Sequence, residues 1–191
     1  MVKLNRIYTK GGDGGETSLG DGARRPKDDL RVAAYGDADE LGATVGLAAA
    51  FCEDPALMQR LRRVQNDLFD LGADLCLPSK EGEGEGSVLR LREDQVARLE
   101  TEIDEINAAL PALESFVLSG GTAVGAHLHL ARCVARRCER SIVSLMSSED
   151  VSPIVLRYIN RLSDWLFVMA RHANGGMEIL WRPGGGQGES D

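Results

Sequence analysis

The chain has 191 residues, 43% hydrophobic and 27% charged, which sets the expectation of a single soluble domain, 1–191, with a sizeable core. A formal net charge of -8 at pH 7 argues against a general nucleic-acid or acidic-membrane binder, because such partners need a broad basic surface. Cys52, Cys76, Cys133 and Cys138 form no C-x-x-C pair, no leader is legible in "MVKLNRIYTK", and no apolar run approaches a membrane span, so a reduced, cytoplasmic setting is expected.

The glycine-rich stretch "YTKGGDGGETSLGDG" (8–22) comes first. It fails the Walker A pattern, because no lysine follows its glycines until Lys27, and it lacks the strand–loop–helix setting of a Rossmann fingerprint. It still offers glycine-exposed backbone N–H groups, the hydroxyls of Thr9, Thr17 and Ser18, and the ammonium groups of Lys10 and Lys27. Those ingredients suit an anion-binding concavity, and composition alone allows a flexible tail equally well. Asp13 is a turn former that could also help hold a phosphate-bound Mg²⁺.

A first helix is expected over 28–52, with Asp28 or Asp29 as its N-cap. A second, over 55–77, carries Leu57, Leu61, Val64, Leu68, Leu71 and Leu75 at alternating steps of four and three, a seam that belongs in a core. The acidic-glycine run 78–87 has nothing to bury and reads as a mobile connection. Helices follow over 93–110, 122–146 and from Pro153 to about 174, and a short extended piece in the tail precedes a disordered end. With no alternating strand–helix pattern, the architecture expected is all-α: an up-and-down five-helix bundle over 28–176, flanked by segments 1–27 and 177–191.

The fourth helix holds "HLHLARCVARRCER". At about 100° per residue, His129, Arg132, Arg136 and Arg140 share one wedge, with Glu139 between it and the core sector. Stacked guanidinium groups repel unless something negative sits among them, and their forks suit phosphate oxygens. The plainer alternative is a solvated basic face paired with acids of neighbouring helices. Asp37, Asp39 and Glu40 of "YGDADELGA" are natural partners for such arginines or ordinary helix surface. On the fifth helix, Tyr158, Leu162, Trp165 and Met169 make a core stripe. Asn160, Asp164, Phe167 and Arg171 fall on roughly the opposite side, a face for an interface or cleft unless the polar groups are merely satisfied locally.

In order along the chain, "IYTKGGDGGETSL", "RRPKDD", "YGDADELGA", "FVLSGG", "LHLARCVARRCER" and "YINRLSDWLFVMAR" together resemble the PduO-type ATP:cob(I)alamin adenosyltransferases over nearly the whole length. The resemblance implies a ferritin-like bundle that assembles as a homotrimer with active sites between subunits. It implies transfer of the 5′-deoxyadenosyl group of ATP to cob(I)alamin, giving adenosylcobalamin and triphosphate. Thr9, Lys10, Gly11, Gly12, Thr17, Ser18 and Lys27 would bind ATP together with Arg136, Arg137, Glu139, Arg140 and Asn160. Arg136 and Arg140 would hold triphosphate oxygens, while Glu139 and Asn160 would position ribose or metal-linked groups. Mg²⁺ would be held mainly by the phosphates, with Glu139 as a further candidate oxygen. Asp39 would pair with Arg132 across the subunit boundary, and Phe116 would face the corrin and displace its lower axial ligand. The catalytic set so implied is Arg132, Arg136, Asp39 and Phe116, and the implied partners are a flavin-type reductase and a cobalamin-dependent enzyme. The glycine loop is then expected to be disordered without nucleotide. Ser119 stands where a proline is expected, and Glu16 where a small, polar or aromatic residue is usual. A non-catalytic ATP- or corrinoid-binding sensor or carrier, and a purely structural helical oligomer, are the alternatives.

Overall fold

A computed structural model describes residues 8–184 apart from 81 and 85; the expected disordered end, 185–191, lies outside the described residues. Its helices are α1 (Leu30–Ala50), α2 (Pro55–Cys76), α3 (Glu93–Asn107), α4 (Ala123–Met146) and α5 (Pro153–Ala173). Four of them start where a short oxygen-bearing side chain accepts a first-turn N–H: Asp29 from Arg31, Asp54 from Ala56, Thr122 from Gly125 and Ser152 from Ile154. Pro55 and Pro153 sit in the first turn, where a missing N–H leaves no bond unmade.

The helices alternate in direction. α1 packs between α2 and α4, and α5 packs between α4 and α3. Every member of the predicted α2 seam, from Leu57 to Leu75, is buried. On α1 the inward residues include Ala34, Ala38, Ala48 and Ala49, small side chains that let α4 approach closely. Cys138 of α4 reaches the Ala34 carbonyl at 3.9 Å, and burial pushes its thiol up to about 12. The α5 stripe is fully inside, with its polar tips satisfied: the Tyr158 hydroxyl donates to Asp67 and the Trp165 indole N–H to Glu102.

α3 puts Val96 and Leu99 into the same core and is also held through charged side chains. Asp67 of α2 accepts from Gln95 at 2.9 Å and from Arg98, and Arg63 donates to Glu102 at 2.6 Å. Pairing 67 with 98 and 63 with 102 sets α3 antiparallel to α2. Ion pairs of Arg157 with Glu93 and Arg161 with Glu100 set it parallel to α5.

One expectation needs correction. The glycine-rich segment, read as disordered without nucleotide, is folded here: β1 (Glu16–Ser18) pairs antiparallel with β2 (Arg24–Pro26). Leu19 is buried, and the Gly20 N–H donates to the Cys76 carbonyl at 3.0 Å, docking the hairpin on the end of α2. Next to the 78–87 connection, Arg90 donates to Glu83 and Asp74 at 2.8 Å and to the Leu77 carbonyl at 2.6 Å. The predicted extended piece in the tail is present. Val117 bridges Leu180, and the Trp181 N–H donates to the Phe116 carbonyl at 2.7 Å. Among the described residues no helix is long and apolar enough to cross a membrane.

Candidate active site

Along α4 the successive turns present Arg132, Arg136 and Arg140, the last two exposed. Among the described residues none of the three makes an ion pair, whereas Arg31, Arg90, Arg98, Arg137 and Arg171 all do. The reading of a basic face neutralised by neighbouring helices therefore fails within the chain. Arg140 is braced on its own helix, donating to the Arg136 carbonyl at 2.9 Å. Arg132 lies over the Phe167 ring of α5, 5.9 Å from its centroid. Glu139 accepts from the Asn160 amide at 2.7 Å, which joins α4 to α5 beside the arginines.

Several predicted members sit elsewhere. Arg137 turns toward α1, pairing with Glu40 and with Asp37 at 3.7 Å, so two of the three α1 carboxylates serve Arg137 and not the wedge. The Glu40 interaction holds the Arg137 guanidinium above its usual pKa. Asp39 is left exposed. His129, placed in the wedge by periodicity, is buried with its ring 6.1 Å from Phe167, and neither ring nitrogen has a hydrogen-bond partner. Burial, and next the Arg132 charge, lower its pKa. Arg171 does not belong to the polar face: its side chain is 3% exposed and pairs with Glu178 at 2.6 Å.

The glycine loop forms a separate basic surface at the end of the bundle where α1 begins. Gly11 offers its carbonyl to Arg24 at 2.8 Å, and Arg24 also reaches Ser18. Gly12 packs tightly under Lys27, where a Cβ would lie 3.2 Å from the ammonium and 3.3 Å from the Glu16 carbonyl. Lys10 adopts a left-handed φ of 61°. Thr9, Lys10, Gly11, Gly12 and Lys27 are thus close together, while Thr17 turns inward to the Tyr35 hydroxyl. Arg24 is a functional candidate that sequence reading passed over, because nothing local marks it. Beside Tyr35 and Asp39 runs a largely apolar groove of about 450 Å³ between α1 and α2, rimmed by the exposed Phe69.

Phe116 lies at the opposite end of the bundle, 79% exposed, with the Trp181 ring edge-on at 6.1 Å. Leu118, Ile179 and Trp181 extend this apolar patch. Along α4 the order is the Phe116 loop, then Arg132, then Arg136 and Arg140. Arg132 is about 14 Å from the helix start at 1.5 Å per residue.

Residues 7–173 match the family model for cobalamin adenosyltransferase. The chain is 48% identical over 187 residues to a corrinoid adenosyltransferase of Mycobacterium tuberculosis H37Rv, covering 96% of each chain. Against a corrinoid adenosyltransferase of Bacillus subtilis 168 it is 43% identical, over 88% of this chain and 86% of the relative. Its fold superposes with a TM-score of 0.87 and 39% identity on a variant PduO-type ATP:corrinoid adenosyltransferase from Lactobacillus reuteri complexed with cobalamin and ATP, covering 93% of this chain and 99% of that one. Together with the open arginine face and the exposed aromatic ahead of it, these likenesses place the chain in the cobalamin adenosyltransferase family, as a corrinoid adenosyltransferase.

Proposed function

We propose that this corrinoid adenosyltransferase transfers the 5′-deoxyadenosyl group of ATP to cob(I)alamin at a site built from two copies of the chain in a homotrimer. The observation that carries the reading is the row Arg132, Arg136 and Arg140, without an anionic partner among the described residues. One copy supplies this row with Glu139 and Asn160; its neighbour supplies Thr9, Lys10, Gly11, Gly12, Ser18 and Lys27 from the glycine loop, braced through Thr17 on Tyr35, and Asp39 to meet Arg132. Both surfaces are open in the single chain, and α1 stands between them.

Cob(I)alamin is itself a strong nucleophile, so the chain need not supply a base. Cobalt attacks C5′, the C5′–O bond breaks, and triphosphate leaves with the electron pair. The work left to the protein is to align cobalt with C5′ and to stabilise charge on the departing oxygens. Arg136 and Arg140 meet those oxygens as forks, and Lys10 and Lys27 add point charges from the loop. Arg137, on the same helix, borders this row on the side that faces α1. Mg²⁺ bound with ATP would offset phosphate charge, and Glu139 would be the protein oxygen available to hold it. Phe116 presents an aromatic face to the corrin and displaces its lower ligand. The reaction requires Co(I) from a flavin-type reductase and a cobalamin-dependent enzyme to receive the product, in a cytoplasmic setting.

The test is direct. Chemically reduced cobalamin and Mg-ATP, mixed with the folded protein, should give a light-sensitive Co–C product with one triphosphate per adenosyl group. Absence of both products would overturn the reading.

A further inference from the structure

Phe116 sits on an irregular stretch between α3 and α4, and its position depends on what grips that stretch. On one side the tail holds it: the Trp181 N–H donates to the Phe116 carbonyl and the Leu118 N–H to the Ile179 carbonyl at 2.9 Å. On the other side stands Asn174, the residue that ends α5, only 7% exposed. Its Oδ1 accepts from the Thr122 N–H at 2.9 Å and from the Thr122 hydroxyl at 3.0 Å. Its Nδ2 donates to the Gly120 carbonyl at 3.0 Å. Thr122 in turn caps α4, its hydroxyl oxygen accepting the Gly125 N–H at 3.0 Å. One amide therefore joins the end of α5, the loop four residues beyond Phe116, and the first turn of the helix that carries the arginines.

The backbone is shaped around that amide. Gly121 has a φ of 96°, and a Cβ at either Gly121 or Gly125 would overlap the Asn174 side chain. An amide suits the position because it accepts twice and donates once. A carboxylate would keep the acceptors for Thr122 but set a second oxygen against the Gly120 carbonyl.

We propose that Asn174 is a positioning residue for adenosyl transfer: it holds Gly120–Thr122 so that Phe116 is presented to the corrin in register with the α4 arginines. The inference rests on the corrin-facing reading of Phe116. Asn174 acts on the displacement of the lower ligand, so its loss matters for corrinoids that carry one. With cobinamide, which lacks that ligand, the placement of Phe116 is no longer required.

The experiment compares wild type, Asn174→Ala, Asn174→Asp, Gly125→Ala and Phe116→Ala with cobalamin and with cobinamide, each supplied as Co(II) and reduced at the enzyme by reduced flavin, with Mg-ATP varied up to saturation. Asn174→Ala and Asn174→Asp are expected to lose about tenfold or more in kcat with cobalamin and to stay within about threefold with cobinamide. KM for ATP should stay within about twofold, because the phosphate-binding side chains are untouched. Gly125→Ala should reproduce the pattern with Asn174 present but displaced, which decides the matter if the Asn174 variants fail to fold. A soluble Asn174→Ala or Gly125→Ala variant that loses both corrinoid activities equally, or neither, overturns the proposal. If Phe116→Ala itself fails to discriminate between the corrinoids, the reading of Phe116 falls and the proposal with it. If Phe116→Ala discriminates and the Asn174 and Gly125 variants do not, only the positioning role falls.

Discussion

The arginines divide by where their charge goes. Arg31 is buried and committed to Glu149 and the Leu75 carbonyl, while Arg136 is exposed and carries its charge into solvent. Arg136→Ala should therefore leave stability within about 0.5 kcal/mol of wild type. It should cut kcat/KM about 100- to 1,000-fold, the cost of removing one donor aimed at developing charge. Circular dichroism and single-turnover kinetics read the two effects separately; a variant with wild-type rates would move the phosphates off α4. His129 is the converse case, buried with both ring nitrogens unpartnered. His129→Leu removes a polar group that costs about 1–3 kcal/mol to bury unsatisfied, and urea denaturation at neutral pH should show a gain of that order. The sign of the pH effect follows from the lowered folded pKa against an ordinary value of 6.5. The unfolded chain takes up the proton first, so stability is held above 6.5 and lost as pH falls below it toward the folded value. His129→Leu should flatten that loss, and an unchanged slope between about pH 7.5 and 5.5 would show that the ring is not the group responsible.

At the level of elements, the strap after α5 is the part that periodicity could not foresee. Helical spacing put Arg171 on a polar face with Asn160 and Asp164, but the chain folds back beyond Asn174 and brings Glu178 against it. Arg171 also donates to the Pro111 carbonyl at 2.7 Å, so it anchors both the tail and the stretch that leads to Phe116. Arg171→Ala leaves the buried Glu178 without its partner and should destabilise by about 3–5 kcal/mol, read as a lower urea midpoint. The α2 seam was legible for the opposite reason: six apolar residues at helical steps have one way to be buried, and all six are. Register along one helix is written in spacing; the partner across the bundle is not. The resemblance grouped Arg137 with the nucleotide-binding arginines, yet packing against α1 gives it to Glu40 and Asp37 and leaves Asp39 exposed. The β1–β2 hairpin escaped notice because glycine-rich composition conceals the short pairing of 16–18 with 24–26. The Val117–Leu180 bridge joins segments too far apart in sequence for any local signal.

On the scale of the whole molecule, the proposed site draws its glycine loop from one copy and its arginine row from the next. The loop is docked on the ends of α1 and α2 through Leu19, Gly20 and the Thr17–Tyr35 contact. The arginines look out beside α5, where Glu139 meets Asn160, and α1 lies between the two surfaces. In the proposed homotrimer, a closed ring of head-to-tail contacts would bring the loop face of each copy to the arginine face of the next. That geometry predicts complementation. Lys27→Ala disables only the loop half of a site, and Arg136→Ala only the arginine half, so each homogeneous protein should be nearly inactive. When the two are unfolded together and refolded at equal amounts, about a quarter of the sites pair an intact loop with an intact arginine row. Activity should return to roughly that fraction of wild type, and size-exclusion chromatography with light scattering should report a three-chain mass for wild type and mixture alike. Mixed assemblies as inactive as their parents would mean that each site is built within one chain, because no exchange of partners could then restore it.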